Sequence, residues 1–194
     1  MFQNPLNHIS KMLLIWRAKK RRQAEMIDVT LQFSKIRNGI ILLPEDVKSL
    51  PVALEKRLEL IGLFNNTTFQ YLVLNTHPAF DFPQDILANA RIIEKQDLTF
   101  LGTPTKMLMN EYDGISFDLL VDFNADFNIF ATYFASKCNA KLRVCLANPH
   151  REAFYNFQVN AFEAKTLTGK YDVLLKYLSK AISPAANPTT FQTV

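Results

Sequence analysis

Apolar positions along the chain fall into short blocks of two kinds, one continuous or alternating, the other spaced three and four apart. Phe117, Leu119, Leu120 and Val121 make a nearly unbroken run, too short for a typical helix and too continuous for a strand with one wet face. It is therefore expected in the middle of a sheet covered on both sides. The polar stretch from Asp122 to Asp126 ends it. Phe127, Phe130, Ala131 and Phe134 then recur at helical spacing, with Asp126 placed to cap a helix that should stop near Asn139. Leu142, Val144 and Leu146 alternate with Arg143 and Cys145, as in a strand nearer an edge. Two strands joined through one helix should lie parallel, with a right-handed crossover.

The same reading places a first buried strand at Gly39–Leu43, closed by Pro44, Glu45 and Asp46. A helix follows from Val47 to Gly62, with Leu50, Val52, Ala53, Leu58 and Ile61 among its apolar positions and Pro51 in its first turns. Phe69–Leu74 is a second strand, and Asn75–Pro83, with His77 and two prolines, a loop. A short helix at Gln84–Ala88, a strand at Arg91–Ile93 and a turn or two of helix at Pro104–Met109 complete the first part. Beyond Leu146, Asn148–Arg151 is a turn and Phe154, Phe157 and Val159 mark another strand. Tyr171, Leu174, Leu175 and Leu178 form the stripe of a helix over Gly169–Ile182. The alternation of strand and helix points to one α/β domain over residues 39–183, preceded by a helical arm (1–38) and followed by an extended tail (184–194).

Charge changes the picture only at the N-terminus. Residues 1–38 carry eight lysines and arginines against Glu25 and Asp28, a balance of +6; the whole chain is +4, which leaves −2 for the rest. Residues 8–24 read as a helix with Ile9, Met12, Leu13 and Trp16 in one stripe, followed by the basic cluster Arg17–Arg22. Three readings fit. The stripe packs on its own domain and the charges are solvated; or the arm meets RNA phosphates; or it lies on an anionic membrane with Trp16 at the interface. The contacts would come from Lys11, Trp16, Arg17, Lys19, Lys20, Arg21, Arg22, Lys35 and Arg37. No apolar run approaches the ~20 residues of a membrane span, and positive charge follows the first apolar stretch instead of preceding it as in a signal peptide. A cytoplasmic protein is expected, with peripheral membrane association as the alternative.

In open α/β sheets ligands bind beyond the carboxyl ends of the strands, where the strand order reverses. That edge should gather Glu45, Asp46, Asn124, Asp126, His150 and Arg151. Paired carboxylates there could do acid/base work if burial separated their pKa values, but acids in those positions also cap helices, which is the expected role. The loops at 44–46 and 123–126 hold acids and no glycine, so they would repel a phosphate; no dinucleotide or other cofactor is expected. Asp122, Asn124 and Asp126 begin like a calcium loop, but Phe127 stands at the glycine position and Tyr133 at that of the bidentate glutamate. His8, His77 and His150 are far apart and neither cysteine has a partner at metal-ligand spacing, so no metal is expected. Cys138 and Cys145 read as buried thiols.

Two resemblances join this reading. Gly39–Leu60, with Asp46 and the segment Ser49–Leu54, and the central stretch Phe117–Val144 resemble the N-terminal half of heptosyltransferase-type glycosyltransferases of the GT-B fold. The entire length is similar to a family of small Bacteroidota-type α/β proteins with a basic N-terminal helix and a C-terminal helix. Together they imply a single three-layer Rossmann-like domain with a mainly parallel sheet, and the second implies no activity. Where the glycosyltransferases carry Gly-Asp after the first strand, this chain has Glu45-Asp46, which leaves Asp46 as the one catalytic candidate carried over; no second, sugar-nucleotide-binding domain is expected. The expected function is thus a non-catalytic binding or accessory protein that docks through its basic helix on RNA or a ribonucleoprotein. The alternatives are a membrane-surface accessory protein, or a glycosyltransferase-like half-domain completed by a protein partner.

Overall fold

The structure is a computed structural model that describes residues 10–16, 29–74 and 82–182, residues 29 and 30 by backbone only. Its six strands are β1 (Asn38–Leu42), β2 (Thr68–Leu74), β3 (Ala90–Ile93), β4 (Ser116–Asp122), β5 (Asn139–Leu146) and β6 (Phe157–Val159). They form one sheet in the order β3-β2-β1-β4-β5-β6, and every pairing is parallel. The chain starts at the centre, runs out to one edge, returns beside β1 and runs out to the other. This is the Rossmann-like order, and its reversal point lies between β1 and β4.

Alternation within the strands divides their side chains between two cores. Ile41, Tyr71, Val73, Leu119 and Val121 face one, and Ile40, Leu42, Leu72, Leu74 and Leu120 the other. Both cores are sealed by helices, which is why the strands read as apolar runs and not as alternating ones. The first is covered by α2 (Val29–Phe33), α3 (Leu50–Leu63), α4 (Gln84–Leu87) and α7 (Leu167–Ile182); the second by α5 (Lys106–Asn110), α6 (Ile129–Lys137) and the helical residues 10–16, here α1. Gly39 is required where β1 meets β2, because it pairs with Phe69 and a Cβ there would run into the Phe69 ring.

Several expectations need correction. The helix after β4 begins at Ile129, and its cap is Asn128, extended itself, whose Oδ1 accepts from Ala131 N at 2.9 Å; Asp126 lies in a bend two residues before it. That helix stops at Lys137, close to the expected end near Asn139, which opens β5. In α3, Leu58 is exposed, while Lys56 and Arg57 are buried. Those cations are tolerated because Lys56 Nζ reaches Glu59 and Asp172, each at 2.6 Å, and Arg57 Nη2 reaches Asp85 at 2.8 Å above the Tyr71 ring. The inner end of the arm belongs to the domain, since Phe33 packs edge-on against Phe157 at 5.6 Å and Ile36 is buried beside it in the first core.

In α1, Met12, Leu13 and Trp16, the stripe for which packing on the domain was one of three readings, point outward, 56%, 43% and 57% exposed. Ser10 is buried instead, and Leu14 and Ile15 pack against the second core. At about 100° per residue, positions 12, 16 and 13 share a narrow arc opposite the one holding 10, 14 and 15. The helix therefore has two apolar faces, and Leu14 and Ile15 of the inner one pack on the second core. Ile9, the remainder of the helix expected to Ala24, the loop around His77 and the C-terminal tail lie outside the described residues.

Candidate functional site

The fold brings the loops after β1, β4 and β5 to one edge, and with them the six expected cleft residues. Two of the six, Asn124 and Arg151, are tied into a buried cluster around Asp122. Asp122, the last residue of β4, is fully buried and holds Asn124 with Oδ1, from the backbone N at 2.8 Å and Nδ2 at 2.7 Å. Its Oδ2 accepts from Arg151 Nη2 and from the Tyr155 hydroxyl. Arg151, also fully buried, donates from Nη1 to the Asn124 carbonyl at 2.7 Å and lies over the Tyr155 ring at 4.7 Å. The Tyr171 hydroxyl, brought by α7, donates to the Phe123 carbonyl. Burial works against the Arg151 charge, but Asp122 and Tyr155 more than offset it and hold the guanidinium protonated. Burial, reinforced by the Asp122 charge, pushes the Tyr155 hydroxyl well above its ordinary range. These groups lock the end of β4 to the β5–β6 connection and to α7, and neither oxygen of Asp122 is left for a substrate.

On the β1 side, Asp46 accepts from Lys48 N at 3.1 Å, Ser49 N at 2.9 Å and the Ser49 hydroxyl, closing the turn into α3. The Ser49 hydroxyl is the main cause that holds its carboxyl below the usual range, so it is a poor proton acceptor. Glu45 Oε2 accepts from Asn128 Nδ2 at 3.1 Å, a bridge across the reversal point between the β1 and β4 loops. Asp126 is exposed. His150 is exposed too, edge-on to Phe127 with ring centres 6.5 Å apart. Both cysteines are buried as expected, and burial raises each thiol to about 12, far from a nucleophile's range. Among the described residues no three histidines, cysteines or carboxylates gather as metal ligands.

The anion-binding set divides. Lys11 Nζ stands 5.1 Å over the Phe127 ring, beyond the carboxyl ends of the strands, and Trp16 is on the outward face of the same helix. Lys35 and Arg37 precede β1 and therefore sit at the opposite, amino end of the sheet, where Asp118 accepts from Arg37 N at 3.0 Å. One surface does not join them to Lys11. Arg17, Lys19, Lys20, Arg21 and Arg22 lie outside the described residues and follow Trp16 directly in sequence.

Sequence reasoning missed Asp122, Tyr155 and Asn128, and it missed the turn that carries Phe100, 82% exposed. An acid flanked by Val121 and Phe123 at the end of a buried strand was the available signal for the first. No protein family, no curated protein and no solved structure matches this chain.

Proposed function

We propose that the protein is a non-catalytic docking or accessory protein whose N-terminal helix lies on an anionic lipid surface. The observation that carries this reading is the outward stripe of Met12, Leu13 and Trp16 on α1, next in sequence to the basic cluster Arg17–Arg22. A helix with one face on its own domain and a second apolar face in water, flanked by arginine and lysine, has the chemistry of an interfacial helix. Charge alone put RNA or a ribonucleoprotein first. An RNA partner would use the basic residues and could stack on Trp16, but it offers nothing to Met12 and Leu13. A bilayer takes all three. Among the described residues no helix is long and apolar enough to cross a membrane, so the attachment proposed is to its surface.

The glycosyltransferase-like alternative needs Asp46 as a base, and that carboxylate already accepts three hydrogen bonds and is held ionised. The test of the proposal is co-sedimentation with phosphatidylcholine vesicles containing or lacking phosphatidylserine. Binding should need the anionic lipid and should fall on Met12→Ser/Leu13→Ser. Retention by RNA, unaffected by that double substitution, together with no retention by vesicles, would replace lipid with RNA.

A further inference from the structure

Phe100 is the most exposed large apolar side chain among the described residues, at 82%, and Met107 follows at 81%. Phe100 does not sit on a slack loop. Leu98 and Pro104 form an antiparallel bridge at the base of the turn, Thr99 N donates to the Thr103 carbonyl at 2.8 Å, and the two threonine hydroxyls bond at 2.8 Å. Gly102, at φ +75, allows its N to return to the Thr99 carbonyl at 2.9 Å. Asp97 ties the base down through Arg91 at 3.0 Å, and its carbonyl accepts from Thr105 N at 2.8 Å. A turn closed by this many bonds presents Phe100 at a fixed position. Lys95 and Lys106 flank it and are exposed.

The place of the turn gives it a meaning. A Cβ at Gly102 would lie 3.9 Å from Ile129 Cγ2, on the first residue of α6, and two residues earlier Phe127 carries Lys11 of α1. The turn and α1 therefore flank the same helix N-terminus. Phe100 on the turn and Met12, Leu13 and Trp16 on the outward face of α1 are all in water, with Lys95 and Lys106 beside the first and Lys11 on the same helix as the others. We propose that the Phe100 turn is a second membrane anchor, which enters the same anionic bilayer as the outward face of α1 and fixes the orientation of the domain on it.

This inference rests on the lipid reading of α1, and the two can fail separately. Phe100 cannot stack on a bilayer as it might on a base; it must enter the acyl region, as apolar rings do at the interface. Trp16 is the only tryptophan, so Trp16→Phe/Phe100→Trp moves the single reporter to the tip of the turn. With vesicles of phosphatidylcholine and phosphatidylserine, emission of this variant should shift to the blue and be quenched by lipids brominated in their chains. Phe100→Ser should lower partitioning about tenfold with its thermal unfolding unchanged, since the side chain has almost no packing to lose. Unshifted, unquenched emission from the variant while it co-sediments with vesicles would overturn the second anchor and leave α1 standing. Failure of the wild-type protein to co-sediment would overturn both.

Discussion

The carboxyl edge of β4 and the outer face of α1 treat their residues in opposite ways. At the edge, Asp122, Asn124, Arg151 and Tyr155 are polar, buried and bonded to one another. On α1, Met12, Leu13 and Trp16 are apolar and in water. The edge is where the fold's geometry directs a search for a ligand, yet its buried polar groups are consumed in holding strands and loops together. The face of α1 has no privileged place in a Rossmann-like fold, yet it puts three large apolar side chains in water. Fold points to an edge; exposed apolar side chains point to a surface.

The comparison breaks most easily at Asp122. Asp122→Ala leaves Arg151 charged in a buried place, and the loss should be about 3–5 kcal/mol, measured by denaturant unfolding. A loss below 1 kcal/mol would show that the edge is not held by this cluster. The helix side should respond in binding and not in stability. Neutralising Lys19, Lys20, Arg21 and Arg22 together removes about 1 kcal/mol each at an anionic surface, hence about a thousandfold in vesicle partitioning. The remaining association should depend less on salt, with unfolding unchanged. Next is Asn128→Ala, which takes away the α6 cap and the bridge to Glu45 and should cost about 1 kcal/mol. An unchanged midpoint would mean that another group takes over the Ala131 N–H.

The smallest effects are those of pH. Cys138 and Cys145 are raised by burial from 9.0 to about 12 and Tyr112, also by burial, from 10.0 to about 12. Groups raised in this way stabilise the fold fully below their unfolded values and lose that contribution as pH climbs from about 9 towards 12. At the acid end, burial raises Asp118, but the Lys141 ammonium at 2.7 Å and the N–H groups of Arg37 and Asn38 outweigh it and hold it below 3.8. Its contribution is present above that value and disappears as pH falls below it. Midpoints of urea unfolding across pH should be flat between these windows. Thiol reagents should label neither cysteine in the native protein at neutral pH and both after unfolding.

Much of the fold was legible because burial on both faces writes itself as an unbroken apolar run. Gly39–Leu43, Phe69–Leu74 and Phe117–Val121 were found within a residue or two of β1, β2 and β4. The helix stripe of α7 was equally plain. Caps were harder: Asp126 and Asn128 are both suitable, and only the bend at 125–126 and the extended backbone of Asn128 select the second. The buried face of α3 was misjudged and that of α1 was left open for one reason. Periodicity identifies which residues share a face, but not which face the tertiary structure buries when partnered cations compete, as Lys56 and Arg57 do with Leu58, or when two apolar arcs exist, as on α1. Of the cleft, the sequence named Asn124 and Arg151 but could not see Asp122 and Tyr155 close over them. The separation of Lys35 and Arg37 from Lys11 follows from strand direction and is invisible to a charge count.

Trp16 offers the most direct measurement of the central claim, because it is the only tryptophan and lies on the outward face of α1. Its emission can be followed as vesicles with and without phosphatidylserine, and then RNA, are added to the full chain. If α1 docks on anionic lipid, the emission shifts to the blue with the anionic vesicles alone, and brominated lipid quenches it. An emission indifferent to vesicles of either kind, or altered by RNA in their place, contradicts the account.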